Sequence, residues 1–446
     1  MTTAFRNPDR FAQGFEGSVR AAPGPRPRAP AIAALEGLGV LLLCVLALGQ
    51  VAGPARAGRA TSVVVISLDG TRPADLRPED CPTLVSLAES GARARALEPV
   101  FPTNTFPNHV SLMTGVAPER HGIVNNHFVD PQRGDFDRDR IPSFIEVEPV
   151  WSWLAGRGVV SASYYWVGSE GPWRTGRGPR HWLPFDGSTS ADTKVEQILA
   201  WLDLEDPAER PRLVTSWFHG ADRAGHRHGP GSQAVRRDLR SQDRAIGELV
   251  RGLDERGLRA STALVFVSDH GMAPLGREVD LRQALKKAGV KGRVHGAGGF
   301  AQIDLDEPGR DLARSVEIAR GLGLEAHARK SAPREWRVAN PRFGDVVVLA
   351  PPDVTIESGR RLALPTRGWH GYRPDVASMA GIFIAVGPGI EAGVELGRVS
   401  NLDVAPTVLA LLGERPPEWM EGRVIAEVAG GASEAGPMTR EGVETQ

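Results

Sequence analysis

Short runs of apolar and β-branched residues recur along the chain, and polar residues follow each run. Four such runs occupy residues 61–68, 213–218, 264–268 and 382–386. Their length and composition predict buried strands. Stretches with a helical period of apolar residues lie between them, at residues 82–90, 232–256 and 404–412. Strands that alternate with helices predict an α/β fold, in which helices cover both faces of a mostly parallel sheet.

Two parts of the chain depart from this alternation. Residues 293–365 are less regular, and strand candidates at 299–305 and 345–349 predict a small inserted lobe beside the main sheet. The segment 426–446 is rich in Gly, Glu and Ala without apolar periodicity, which predicts a disordered tail. One main domain is therefore expected over residues 58–425.

The amino terminus has the pattern of an export signal. Residues 1–30 contain five Arg, an apolar run follows at 38–51, and Ala55-Arg56-Ala57 matches an A-x-A cleavage site. This order predicts a secretory signal peptide with a long positive region over residues 1–57. Export places the mature chain in the periplasm or outside the cell. The alternative is an uncleaved anchor, and only then is contact with a membrane expected.

The composition is that of a globular protein. Of the 446 residues, 41% are hydrophobic and 24% are charged, which excludes a disordered, collagen-like or polytopic membrane protein. The chain has 53 basic and 54 acidic residues, so it carries no basic excess for binding duplex nucleic acid.

Acidic residues and histidines follow the predicted strands. The six candidates are Asp69, Asp222, His226, Asp269, His270 and His370. Taken singly, each could be a turn residue, a solvated helix face or a packed histidine. Their shared position beyond the strand ends, where parallel sheets bind ligands, favours a metal centre. Carboxylate and imidazole ligands suit Zn²⁺, and six of them match two catalytic sites with open positions.

A candidate nucleophile lies just before a predicted helix. Thr105 is followed by FPNHVSLMTG at residues 106–115. A hydroxyl at the start of a helix is normally a cap. The helix amides and dipole also stabilise an anion there, and contact with a metal ion would activate the hydroxyl.

Eight segments, in order, make the chain similar to the nucleotide pyrophosphatase/phosphodiesterase family of the alkaline phosphatase superfamily. They are VVVISLDGTRPADL, PVFPTNTFPNHVSLMTG, PERHGIVNNHF, YYWVGSEGPW, DRAGHRHGP, FVSDHGM, NPRFGDVVVLAPP and GWHGY. With the helical stretch that follows, they extend over about residues 63–412. The resemblance implies an alkaline-phosphatase-like fold and two zinc ions.

The resemblance also implies a role for each matching residue. One zinc would be held by Asp69, Thr105, Asp269 and His270, and the other by Asp222, His226 and His370. Thr105 would be the nucleophile. Asn126 would donate to a phosphate oxygen; the adjacent Asn125 is the alternative, but the spacing from Thr105 favours Asn126. Phe106 would pack beside the leaving or retained group.

The implied reaction is hydrolysis of a small-molecule phosphodiester or pyrophosphate through a covalent threonyl-phosphoryl intermediate. Nucleotide substrates of the family stack their base on aromatic side chains. Here the family positions suggest Trp217 and either Trp166 or Trp182, each of which could equally be a core residue. Trp217 replaces an expected tyrosine, so a lipid headgroup such as a glycerophosphodiester is the main alternative substrate.

Other activities on the same fold are less consistent with the sequence. A phosphomonoesterase would be expected to add a third metal or a further Arg or Lys, and no matching Arg is found. A sulfatase would carry a C-x-P-x-R motif, which CPTLV at residues 81–85 does not match. A non-catalytic binding protein would be expected to have lost Thr105 or a metal ligand. A phosphotransferase with an alcohol acceptor stays open.

Overall fold

The computed structural model describes residues 60–171, 173–357 and 366–429. Strands β1 to β18 are, in chain order, Ser62–Leu68, Ala92–Glu98, Val129–Asp130, Gly134–Asp135, Ser161–Tyr164, His181–Leu183, Leu213–Phe218, Thr262–Val267, Ala273–Pro274, Arg277–Val279, Gly292–Ala297, Phe300–Leu305, Glu325–Ala328, Val346–Leu349, Val354–Ile356, Gly368–Trp369, Phe383–Val386 and Val394–Ser400. Helices α1 to α11 are Pro82–Glu89, Thr105–Thr114, Pro118–His121, Ile141–Phe144, Val150–Ala155, Ala191–Leu202, Gly220–His228, Gln233–Glu255, Leu281–Lys287, Pro308–Gly321 and Val404–Leu411.

The main sheet has eight strands in the order β18-β2-β17-β8-β1-β7-β5-β6. The run from β8 to β6 is parallel throughout. Strand β17 is antiparallel to both of its neighbours, and β18 pairs with β2 in parallel. The prediction of an α/β fold with a mostly parallel sheet is confirmed, and all four predicted strands and all three predicted helices are present.

Helices cover both faces of this sheet because the central strand is apolar on both sides. Every residue of β1 is buried. Val64 and Ile66 pack into a core with side chains from α1, α6 and α8. Val63 and Val65 point the other way, into a core with side chains from α2, α5 and α11. This alternation explains why β1 is a continuous hydrophobic run in the sequence.

The predicted lobe is more regular than the sequence suggested. Strands β11, β12, β14 and β13 form an antiparallel sheet in that order. Helix α10 lies between β12 and β13 along the chain and packs against this sheet. The strand candidates at 299–305 and 345–349 correspond to Phe300–Leu305 and Val346–Leu349.

The structure corrects one predicted boundary, the start of the disordered tail. Ile425 and Val428 are 8% and 0% exposed and pack into the core beneath α11, so the predicted disordered tail does not begin at 426. Residues 430–446 and the predicted signal peptide lie outside the described residues. In the part of the chain that the structure describes, no helix combines the length and apolar character of a membrane span.

Candidate active site

Three carboxylates meet beyond the ends of three neighbouring strands. Strands β7, β1 and β8 lie side by side, and Ser67 near the end of β1 is in register with the ends of both neighbours. Asp69 follows β1, Asp269 follows β8, and Asp222 lies in the first turn of α7, directly after β7. Because parallel strands end at the same edge, residues that are far apart in sequence converge here.

One cluster centres on Asp222. Its Oδ1 atom lies 3.4 Å from Nε2 of His226 and 3.8 Å from Nε2 of His370. His226 is one turn further along α7, so the two side chains share a helix face. His370 comes from the loop after β16. The predicted trio Asp222, His226 and His370 is therefore brought together, with ligand atoms within 4.8 Å of one another.

The second cluster centres on His270. Its Nε2 atom lies 3.1 Å from Asp269 Oδ2, 3.7 Å from Asp69 Oδ1 and 3.2 Å from the Thr105 hydroxyl. The ligand atoms of Asp69, Asp222 and His270 also lie within 4.8 Å of one another. Asp222 thus belongs to both clusters, which the sequence analysis had assigned as two separate sets.

The three histidines are oriented in the same way. The Nδ1 atoms of His226, His270 and His370 lie 2.9, 2.8 and 3.0 Å from the backbone carbonyls of Gly368, Gly271 and Thr103. A carbonyl only accepts hydrogen bonds, so each Nδ1 carries the proton. Each Nε2 then presents a lone pair towards the carboxylates, as in histidines that bind metals.

The carboxylates contain oxygens that no described residue satisfies. They are Oδ1 of Asp69, Oδ1 of Asp222 and Oδ2 of Asp269. A buried polar atom without a partner costs free energy. Three such oxygens that face three imidazole lone pairs fit divalent cations, and this donor set suits Zn²⁺, with Mn²⁺ and Fe²⁺ as chemically allowed substitutes.

The ionisable groups affect one another strongly. Burial raises the pKa of Asp69 well above its ordinary value, and the neighbouring Asp269 adds to this effect. Burial also opposes ionisation of Asp269, but His270 and His109 outweigh it and lower the pKa of that carboxyl. Burial lowers the pKa of His370 well below its ordinary value. His370 is therefore neutral, which is the form that binds a metal.

Thr105 is the first residue of α2, with Asn104 as the preceding cap residue. The backbone N–H of Phe106 donates to Asn126 Oδ1 at 2.8 Å. Because this bond uses the amide oxygen of Asn126, the Nδ2 group is not engaged in it. Asn125 Oδ1 instead accepts from the Asn104 side chain at 2.9 Å and from the Asn126 backbone at 2.8 Å. Both asparagines thus contact the start of α2, Asn125 through the cap residue Asn104 and Asn126 through Phe106.

Sequence reasoning missed His109. It lies one turn after Thr105 on α2, fully buried, with Nδ1 2.9 Å from the Thr105 carbonyl and 3.3 Å from Asp269 Oδ2. Its Nε2 lies 2.9 Å from the Ser67 hydroxyl. The available signal was its spacing of four residues from Thr105 on a predicted helix.

Two of the predicted substrate-stacking residues, Trp166 and Trp217, are buried. Trp166 is 0% exposed, and its indole N–H donates to the His109 carbonyl. Trp217 is 7% exposed, and its ring packs between those of Tyr165 and Phe185, at 5.3 and 5.2 Å. Neither indole ring has a face free to stack on a substrate, because both rings pack in the interior behind the site.

The other aromatic residues near the site differ in their exposure. Trp182 is 40% exposed, but its ring packs edge-on against Trp173 at 6.0 Å. Phe185, which sequence reasoning missed, is 44% exposed and stacks on Trp217. It lies in the loop between β6 and α6, without apolar periodicity, so no pattern marked it. Phe106 is 7% exposed, and the Arg138 guanidinium lies 4.6 Å above its ring.

Comparisons of sequence point to one family. The profile described as type I phosphodiesterase / nucleotide pyrophosphatase matches residues 63–373. An uncharacterized pyrophosphatase/phosphodiesterase of Schizosaccharomyces pombe is 32% identical over 410 residues, which is 84% of each chain. Human ectonucleotide pyrophosphatase/phosphodiesterase family member 1 is 28% identical over 372 residues, or 79% of this chain and 40% of that protein. The chain thus spans less than half the length of this human relative.

Solved structures agree with the sequence comparisons. Murine ectonucleotide pyrophosphatase/phosphodiesterase 5 superposes with a TM-score of 0.73 at 26% identity, over 80% of this chain and 96% of that chain. A second structure of the murine protein has a TM-score of 0.74 and the same identity and coverage. It is of an inactive threonine-to-alanine variant in complex with AMP.

Proposed function

The chain belongs to the type I phosphodiesterase/nucleotide pyrophosphatase family, and we propose that it hydrolyses phosphodiester or pyrophosphate bonds of nucleotides with the help of two bound metal ions. Family membership supports the hydrolase class. The observation that carries the proposal is the contact between Thr105, at the start of α2, and His270, within two ligand clusters that share Asp222. Zinc is the metal proposed.

The residues divide into ligands and reacting groups. Asp222, His226 and His370 are the proposed ligands of one ion, and Asp69, Asp269, His270 and Thr105 those of the other. Two ions held in this way would lower the pKa of the Thr105 hydroxyl and stabilise negative charge on the leaving oxygen.

The Thr105 oxygen attacks phosphorus, a threonyl-phosphoryl bond forms, and the bond from phosphorus to the leaving oxygen breaks. Water then attacks the same phosphorus, the bond to Thr105 breaks, and the hydroxyl is restored. Nδ2 of Asn126 and the backbone N–H of Thr105 stabilise charge on the other phosphate oxygens, since the Phe106 N–H already donates to Asn126 Oδ1. The inactive threonine variant of the murine relative supports a threonine nucleophile.

Nucleotides are the proposed substrates because AMP is bound in the murine relative's structure and because this site has aromatic surface beside it. Phe185 offers an exposed face, and Phe106 follows the nucleophile directly. A base that stacks on such a face gains about 1–3 kcal/mol. We also propose export of the chain, on the pattern of residues 1–57 alone.

A side-by-side rate measurement tests this function. The substrates are p-nitrophenyl thymidine monophosphate, bis-p-nitrophenyl phosphate and p-nitrophenyl phosphate, each with and without a chelator. Chelator-sensitive cleavage that is fastest for the thymidine ester supports the proposal. Faster cleavage of the simple diester would redirect the search to lipid headgroups, and preference for the monoester would contradict the phosphodiesterase assignment. Products formed with ethanolamine present would reveal transfer to an alcohol.

A further inference from the structure

Trp217 makes a hydrogen bond to one of the proposed metal ligands. Its indole Nε1–H donates to Asp69 Oδ2 at 2.8 Å. The other carboxylate oxygen, Oδ1, has no hydrogen-bond partner among the described residues and faces His270 Nε2 at 3.7 Å. The indole bond therefore fixes the rotation of the carboxylate so that one oxygen is satisfied by protein and the other points into the ligand cluster.

Packing holds the indole ring in this orientation. Besides the faces of Tyr165 and Phe185, the edge of the ring meets the buried His109 at 5.3 Å. With only 7% of the residue exposed, the ring has no room for another rotamer. The N–H is thus aimed at Asp69 by contacts from three separate parts of the chain.

The backbone of Trp217 is held from another direction. Its carbonyl accepts a hydrogen bond from the Lys194 ammonium at 2.6 Å, and Lys194, from α6, is 3% exposed. On β7, Trp217 also lies in register with Ser67 of β1, two residues before Asp69. Hydrogen bonds therefore hold both the side chain and the main chain of Trp217.

We propose that Trp217 is a positioning residue that orients Asp69 to bind a metal ion, and this inference rests on the proposed function. Hydrogen-bonded partners of metal ligands typically contribute 10–100-fold to metal affinity. Loss of the indole N–H leaves Asp69 Oδ2 unpaired and the carboxylate free to rotate. The affinity for the ion bound by Asp69 is expected to fall about 10–100-fold, whereas the ion at His226 and His370 stays bound.

The experiment is a competitive Zn²⁺ titration of metal-stripped protein against a chromophoric chelator, for the wild type and Trp217→Phe. Trp151→Phe is the matched control, because Trp151 is 1% exposed and its indole N–H has no partner in the described structure. Weaker binding of one ion in Trp217→Phe alone supports the inference. Two unchanged affinities in that variant would overturn it, as would an equal loss in Trp151→Phe. A wild type that binds no metal would instead contradict the proposed function.

A second variant covers the case in which Trp217→Phe does not fold. Replacing Trp217 by 3-benzothienylalanine keeps the shape of the indole and substitutes sulfur for the N–H. We expect this variant to unfold at the wild-type temperature when stripped of metal and to show the same selective loss of Zn²⁺ affinity. Full affinity in this variant would show that the ring's shape, and not its N–H, matters.

Discussion

Nε2 of His270 lies 3.2 Å from the hydroxyl of Thr105, although 165 residues separate the two in the chain. Since Nδ1 of His270 is bonded to the Gly271 carbonyl, this lone pair is directed at the hydroxyl and the carboxylates around it. The proposed nucleophile and a proposed metal ligand therefore lie in contact, which is the arrangement that two-step phosphoryl transfer requires.

Removal of the Thr105 hydroxyl should abolish turnover. Thr105→Ala is expected to retain less than about one hundredth of wild-type kcat/KM, because the variant lacks the oxygen proposed to form the covalent bond. Its metal content and unfolding temperature should be unchanged. Thr114→Ala, at the other end of α2, is the control and should keep its activity. Activity of Thr105→Ala above that limit would exclude Thr105 as nucleophile.

The two clusters predict different metal losses. His370→Ala should lose one metal equivalent, measured by elemental analysis of purified protein. Asp222→Ala should weaken both ions, because the Asp222 carboxylate lies in both clusters. His228→Ala, an exposed histidine on the same helix as His226, should keep both. Full metal content in His370→Ala would refute the assignment of two sites.

Asn126 is expected to act through its amide donor. Asn126→Ala should lower kcat about 10²–10³-fold, the usual effect of removing one donor to a transition-state oxygen. Asn126→Asp keeps the oxygen that accepts from Phe106 N–H but removes the donor. If Asn126 merely holds the start of α2, Asn126→Asp should restore the rate. Steady-state kinetics at saturating Zn²⁺ distinguish these outcomes.

Phe185 is expected to bind the base. Phe185→Ala should reduce kcat/KM for p-nitrophenyl thymidine monophosphate about 5- to 150-fold, which corresponds to the 1–3 kcal/mol of one stacked base. Methyl p-nitrophenyl phosphate, which has no base, should be cleaved at a nearly unchanged rate. Trp182→Ala is the comparison, because Trp182 is similarly exposed. A larger loss of kcat/KM in Trp182→Ala would indicate that the base stacks on Trp182 instead.

The inserted lobe should show a pH-dependent stability. Burial raises the pKa of Asp304 to about 6, with a further contribution from Asp345. The folded state then holds a proton between about pH 4 and pH 6 that the unfolded chain releases, so stability falls as pH rises through this window. This decrease in the free energy of unfolding is complete above about pH 6.

Asp304→Asn should remove this decrease in stability, because the amide side chain does not ionise. After allowance for partial exposure, the gain is about 1 kcal/mol at pH 8 and about a third of that at pH 4.5. Thermal unfolding of the variant and the wild type at both pH values measures it. Asp306→Asn, which replaces an exposed neighbour, should show no such difference. An equal gain at both pH values would mean that ionisation of Asp304 is not the cause.

The sequence determined the sheet and most of the candidate ligand set. Continuous apolar strands such as β1 can only be buried on both faces, and this requirement implies the parallel sheet and its helices. Once the strands are placed, Asp69 and Asp269 must lie at the same edge, because parallel neighbours end together. The spacing of Asp222 and His226 similarly places both on one face of a helix.

Only the tertiary structure decided what each aromatic residue does. Trp217 and Phe185 are both aromatic residues near strand ends, yet one is enclosed by rings from distant segments and the other keeps an open face. Burial of a side chain depends on which segments pack over it, and single-sequence patterns do not encode those contacts. For the same reason the sequence assigned Asp222 to one ligand set, whereas its carboxylate lies within reach of both.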